Sequence, residues 1–224
     1  MFELRNANRE SLQFISDLRD RFAGHSKPVM LNAIIGPRGD AYSSNIAMPA
    51  AEAEEYFGEQ IDWLTETEAD MVSGMTFGQA SEAIGLVRAA RSAGMPAALS
   101  FTVETDGALP NGQSLGDAVQ EVDAASDGYC AYFMVNCAHP DHFGGALLNG
   151  EGWEHRLRGI RANAPRRSHT ELDHARELDT GDPRELARQY QILRSRLPNL
   201  TILGGCCGTD YRHIEQICSL CLRA

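Results

Sequence analysis

The feature that most constrains the fold is an alternation of short, unbroken apolar runs with stretches of helical periodicity. Six runs read as strands: Val29 to Pro37 (VMLNAIIGP), Ala69 to Phe77 (ADMVSGMTF), Met95 to Val103 (MPAALSFTV), Gly128 to Cys137 (GYCAYFMVNC), the weaker Ile160 to Pro165, and Asn199 to Gly205 (NLTILGG). Their apolar residues are continuous rather than alternating, the pattern of parallel strands covered on both faces. Helices are predicted over Pro49 to Glu66, Gly78 to Gly94, Ser114 to Ala125, Asp182 to Leu197 and from Asp210 to the end, with one more, Asn8 to Gly24, before the first strand. Ser114 is placed to cap one helix, and Asp182 to cap another whose first position is Pro183. Strand–helix alternation throughout defines an α/β architecture. No repeat, low-complexity segment or linker divides the chain, so residues 1–224 are read as one domain. The charged stretch from Pro165 to Pro183 reads as a long surface loop or short helix.

Composition narrows the function classes. Apolar residues make up 43% of the 224 and charged residues 23%, as in a globular protein able to bury a core. No apolar run is long enough to span a membrane, and the N-terminus lacks the basic-then-apolar pattern of a secretion signal. A formal charge of -11 argues against a nucleic-acid or anionic-membrane partner. Small molecules remain as partners, and a cytoplasmic location is expected. Six cysteines in that reducing setting are free thiols, metal ligands or nucleophiles rather than a disulfide framework.

Three of the six fall where chemistry is expected. In parallel α/β folds, sites gather at the C-terminal ends of the strands. Cys137 ends one predicted strand, and Cys206 and Cys207 end the last, in LGGCCG. Three thiolates converging there suit a tetrahedral zinc ion with one position open. Gly204, Gly205 and Gly208 allow the sharp turn that adjacent ligands require. Thiol chemistry without a metal fits the same residues. So does a closed four-thiol site in which Cys218 and Cys221 join Cys206 and Cys207, although a three-residue spacing on a helix is also ordinary packing. Cys130 reads as core filling. His139 and His142 lie beside Cys137, as loop residues, hydrogen-bond partners or a fourth ligand.

The segments VNCAHP (Val135 to Pro140) and LGGCCGTD (Leu203 to Asp210) resemble the two zinc motifs of the homocysteine S-methyltransferase family, and AIIGPRGDAY (Ala33 to Tyr42) resembles its third-strand segment. That family includes betaine- and S-methylmethionine-dependent enzymes and the homocysteine module of cobalamin-dependent methionine synthase. The resemblance implies a TIM-type (β/α)8 barrel, Zn2+ on Cys137, Cys206 and Cys207, and a role in methionine biosynthesis. It also implies transfer of a methyl group from a sulfonium or ammonium donor to the thiol of homocysteine or a related thiol.

Two departures shape the expectation. In the family, two strands precede the segment matching Val29 to Pro37, and the first carries an Asp-Gly-Gly motif that this chain lacks at its start. An incomplete barrel of about six strands is therefore expected, its open edges buried in a homodimer, left exposed in a marginally stable and aggregation-prone chain, or plugged by the N-terminal helix. The family also places a glutamate for the substrate ammonium where this chain has Met75. Substrate-binding positions are accordingly read at Met75, Glu104, Asn136 and Asn163. The alternative reading is a catalytically inactive, shortened relative that retains zinc or only the fold.

Overall fold

The computed structural model describes residues 2–24, 28–43, 47–148 and 150–222. Six strands form one parallel sheet in sequential order: β1 (Asn32–Ile35), β2 (Met71–Phe77), β3 (Ala97–Phe101), β4 (Phe133–Asn136), β5 (Leu157–Ala162) and β6 (Ile202–Gly205). Each is followed by a helical crossover except β6, which leads into the last helix. These helices are α2 (Ala50–Thr65), α3 (Ala80–Ser92), α4 (Leu115–Ala125), α5 (Pro140–Phe143), α6 (His169–Asp173), α7 (Pro183–Arg196) and α8 (Tyr211–Cys221). Helix α1 (Phe2–Phe22) precedes β1. The predicted last helix runs on to Ala224, and its final two residues lie outside those described.

Side-chain alternation divides the sheet into two faces. Val72, Leu99, Phe101, Val135 and Ile160 point outward and pack with Phe57 and Ile61 of α2, Leu86 of α3, Val119 of α4 and Tyr190 of α7. The α2–α3 contact is close because Gly85 has no side chain: a Cβ there would lie 2.3 Å from the Ala53 Cβ. The opposite, inward face carries Ser73, Met75, Ser100, Met134, Asn136 and Arg161. In a closed eight-stranded barrel this face is a filled interior. Among the described residues β1 and β6 pair with β2 and β5 alone, so the sheet is an open half-barrel.

Local chemistry sets the helix ends as expected. The Ser114 side chain accepts the Asp117 N–H, and Asp182 accepts the N–H groups of Arg184 and Glu185 ahead of Pro183. All six strands are shorter than or shifted from their predicted spans, β4 and β5 the most. β4 starts at Phe133, because Gly128, with a φ of +69°, ends the turn after α4, and Tyr129 to Tyr132 lead from it into the strand. Cys130 sits there buried, its thiol pushed up to about 12 by desolvation, as a core-filling residue. β5 runs over Leu157–Ala162 rather than from Ile160 to Pro165, with a register shift opposite Phe133 and Met134 that leaves Arg158 unpaired with β4, while its carbonyl accepts the Thr201 N–H ahead of β6.

Candidate metal centre

The C-terminal ends of β4 and β6 bring Cys137, Cys206 and Cys207 together, with all three Sγ atoms within 4.8 Å of one another. A tetrahedral ion with sulfur ligands at about 2.3 Å would separate them by about 3.8 Å, so the cluster fits zinc with little movement. The thiols also oppose one another electrostatically. The Cys206 thiol is held well below its ordinary range, because the thiols of Cys137 and Cys207 hydrogen-bond to its thiolate. Cys137 is pushed up by the same bonds to Cys206 and Cys207 and then by burial. Cys207 is pulled down by Cys137, but its contact with Cys206, together with burial, moves it up. Protein atoms alone thus favour a thiolate at Cys206 with Cys137 and Cys207 as thiols. A divalent cation at the centre would let all three ionise.

The ligating loops are held from behind by two buried asparagines. Cys137 adopts the left-handed conformation, φ +55°, and so does Thr76 at the end of β2, φ +66°. Asn136 secures the Thr76 turn: its Oδ1 accepts the Thr76 N–H at 2.9 Å and its Nδ2 donates to Thr76 Oγ1 at 2.7 Å. Asn163 ties the two cysteine loops together. Its Nδ2 donates to the Cys137 carbonyl at 2.9 Å and its Oδ1 accepts the Cys207 N–H at 3.1 Å. The Tyr42 hydroxyl also donates to the Cys137 carbonyl, at 3.1 Å, and lies 2.8 Å from the Thr102 hydroxyl. Burial, above all, raises the Tyr42 pKa.

A cleft of about 550 Å³ opens over the cysteines, walled by Tyr42, Thr76, Asn163 and the segment from Pro165 to Asp179. That segment, the predicted surface loop, contains α6 and folds back over the centre. The His169 ring stacks on Tyr42, with centroids 3.6 Å apart and planes within 6°. His213 Nε2 bonds the Thr180 carbonyl at 2.8 Å, and Arg167 pairs with Asp179 at 3.0 Å.

Of the other residues expected at the site, Asn163 lines the cleft, and the rest stand behind or away from it. Met75 is nearly enclosed on the inward face, and its neighbour Thr76, not Met75, reaches the cleft. Glu104 lies in the turn after β3, near enough to raise the Tyr42 pKa, but does not line the cleft. The amides of Asn136 and Asn163 are committed to Thr76 and to the cysteine loops. Cys218 is exposed and Cys221 buried on α8, so they do not join Cys206 and Cys207. His139 caps α5 with its Nδ1, and burial holds it down to about 4. His142 Nε2 bonds the Arg166 carbonyl. Neither histidine belongs to the thiol cluster. Sequence reasoning does not single out Tyr42 or Thr76. Tyr42 closes the segment AIIGPRGDAY, whereas a threonine with positive φ has no sequence signature.

The fold and this cluster define an incomplete TIM-type barrel with three converging thiols at the C-terminal edge of its strands. The chain belongs to the homocysteine S-methyltransferase family, whose model matches residues 2–221. Crystal structures of the homocysteine methyltransferase MmuM from Escherichia coli share the fold. The apo form has a TM-score of 0.72 at 17% identity, over 97% of this chain and 74% of that one. The metallated form has a TM-score of 0.74 at 17% identity, over 96% and 70%. No curated protein sequence matches the chain significantly.

Proposed function

We propose that the chain is a zinc-dependent S-methyltransferase that moves a methyl group from a sulfonium or ammonium donor to homocysteine or a related thiol. The observation that carries this reading is the cluster of three thiols, within 4.8 Å of one another, in a chain of this family. Cys137, Cys206 and Cys207 would hold the zinc. A zinc ion there, with its fourth position open, supplies a lowered thiol pKa and an electron-rich thiolate at neutral pH. Asn163 keeps the Cys137 and Cys207 loops in register, and Asn136 fixes the Thr76 turn beside them. The cleft has room for a donor over the same point, between the Tyr42–His169 stack and Leu172. Asp173 and Glu177 on its wall suit a positively charged donor. In the transfer, the thiolate sulfur forms a bond to the methyl carbon as the donor's bond to that carbon breaks. The donor departs neutral, and no covalent enzyme intermediate forms. Alignment within the cleft supplies much of the rate. A reducing, cytoplasmic setting goes with this reading, since the thiols must stay reduced.

Metal analysis of protein purified without chelator is expected to give about one zinc per chain, lost in Cys206→Ala and in Cys137→Ala. Folded, zinc-free wild-type protein that takes up no zinc on titration would overturn the metal assignment. Incubation with homocysteine and a panel of sulfonium and ammonium donors is expected to form methionine well above the protein-free level. A second reading, a relative that keeps zinc without transferring methyl groups, draws on the apolar Met75 and the open half-barrel. Zinc-loaded protein that is inactive with every donor supports that reading over the first.

A further inference from the structure

The inward face of the half-barrel carries one charged side chain directly beneath the thiol cluster. Arg161 pairs in register with Asn136 on β4 and Gly204 on β6, so these three residues share a face and a level. Its neighbours Ile160 and Ala162 are in the outward core, which sets Arg161 inward. The Arg161 carbonyl accepts the Cys137 N–H, and the next residue's carbonyl accepts the Cys206 N–H. The side chain therefore starts one step below the ligand loops.

The surroundings leave this guanidinium without a protein partner. Its stem crosses β6 where Gly204 has no side chain: a Cβ there would stand 3.2 Å from Arg161 Cγ and 3.5 Å from Nε. The Asn136 amide is occupied by Thr76. None of the six strands contains an aspartate or glutamate. Among the described residues, no hydrogen bond or ion pair is made by the Arg161 side chain. A partly buried guanidinium offers five donors in a planar fork, and leaving them unmatched is costly. Its charge reaches the cluster, since it contributes to holding the Cys206 thiol down.

We infer that Arg161 receives the carboxylate of the thiol substrate, and that the site selects a thiol bearing an acid end without recognising an α-amine. This rests on the thiol-binding reading above. A planar carboxylate matches the guanidinium fork in two parallel bonds. The opposite requirement, a carboxylate for an ammonium group, is not met on this face: Met75 stands there, nearly enclosed and apolar. The anionic end of the thiol then lies toward the open barrel at Arg161. The Asp173 and Glu177 side of the cleft is left to a cationic donor.

The test uses the zinc-loaded 224-residue chain and four thiols, with dissociation constants from calorimetry. The thiols are homocysteine, 4-mercaptobutanoate (acid, no amine), 3-aminopropane-1-thiol (amine, no acid) and 4-mercapto-1-butanol (neither). Homocysteine and 4-mercaptobutanoate are expected to bind within about threefold of each other, and both at least about tenfold tighter than the two acid-free thiols. In Arg161→Met that advantage should collapse while the acid-free thiols keep their affinity. Arg161→Lys should retain part of it, since a point charge replaces the fork. Acid-free thiols that bind wild-type protein as tightly as 4-mercaptobutanoate would overturn the inference and leave the thiol-binding reading standing. So would an equal loss for all four thiols in Arg161→Met. If none of the four binds the zinc-loaded protein, the thiol-binding reading itself fails, and the inference with it.

Discussion

Asn163 shows how much of this centre lies behind the sulfur atoms. One buried amide spans both ligand loops, donating to the Cys137 carbonyl and accepting the Cys207 N–H. Asn163→Ala removes two bonds worth about 1 kcal/mol each and leaves two backbone groups without partners. The loops then lose their shared register, and groups that orient ligands typically influence metal affinity by about 10–100-fold. Competition with a chromophoric chelator should show a loss of zinc affinity of that size in Asn163→Ala. Asn163→Asp keeps the acceptor for Cys207 but sets a negative charge beside three thiolates, so it should also bind zinc more weakly. An unchanged zinc affinity in both variants would mean that the cysteine loops hold themselves in place.

At the level of the elements, the turn after β6 decides whether adjacent cysteines can both reach one point. Gly208 has a φ of +77°, and a Cβ there would come within 2.3 Å of the Asp179 carbonyl oxygen and 2.9 Å of Pro165 Cδ. The same glycine thus makes the left-handed turn and lets the loop over the cleft close down. Gly208→Ala should cost about 1–3 kcal/mol from backbone strain alone, more once Asp179 is displaced. Thermal unfolding measures the first effect, and weakened zinc binding reports the second; a variant as stable as wild type would refute the account. Gly208 makes this turn legible in the sequence, as the strand ends make the three cysteines legible; Gly204 and Gly205, expected in the same turn, end β6 instead and take no positive φ. The six strands and main helices are legible too, because the strands are largely apolar and the helices keep their apolar periodicity, with side-chain caps on α4, α7 and α8. β5 reads three residues late because Arg158 and Arg161 interrupt its apolar run. Neither the short helix α5 nor the fold-back of the Pro165 to Pro183 segment follows from composition. The fold-back depends on tertiary partners such as Tyr42 and His213. The bonds made by Asn136 and Asn163 are invisible for the same reason: an asparagine at a strand end looks like any turn residue.

For the whole molecule, the unsatisfied element is the edge of the sheet. A barrel of this class needs eight strands to close its ladder, and here the ladder stops at β1 and β6. Helix α1 does not plug the gap. It lies along α2 and the turn after it, through Asn8 with Gln60 and Arg19 with Glu68, and buries Leu12. Between α1 and β1 a hollow of about 560 Å³ remains, lined by Ser11, Ile15, Met30 and Ile34. Ile34 is 56% exposed, Met30 61% and Phe14 65%, and β1 carries no charge to discourage pairing. A flat, uncharged edge beside apolar surface recruits another chain, and a second copy presents the same surface in return. Light scattering at micromolar concentration is therefore expected to give about twice the 24.5 kDa chain mass. Ile34→Lys places a charge on that edge and should return the protein to the monomer mass while leaving zinc content unchanged, since β1 contributes no ligand. A wild-type monomer that binds no apolar dye would refute the exposed-edge argument. A dimer that survives Ile34→Lys unchanged would place the contact elsewhere on the molecule.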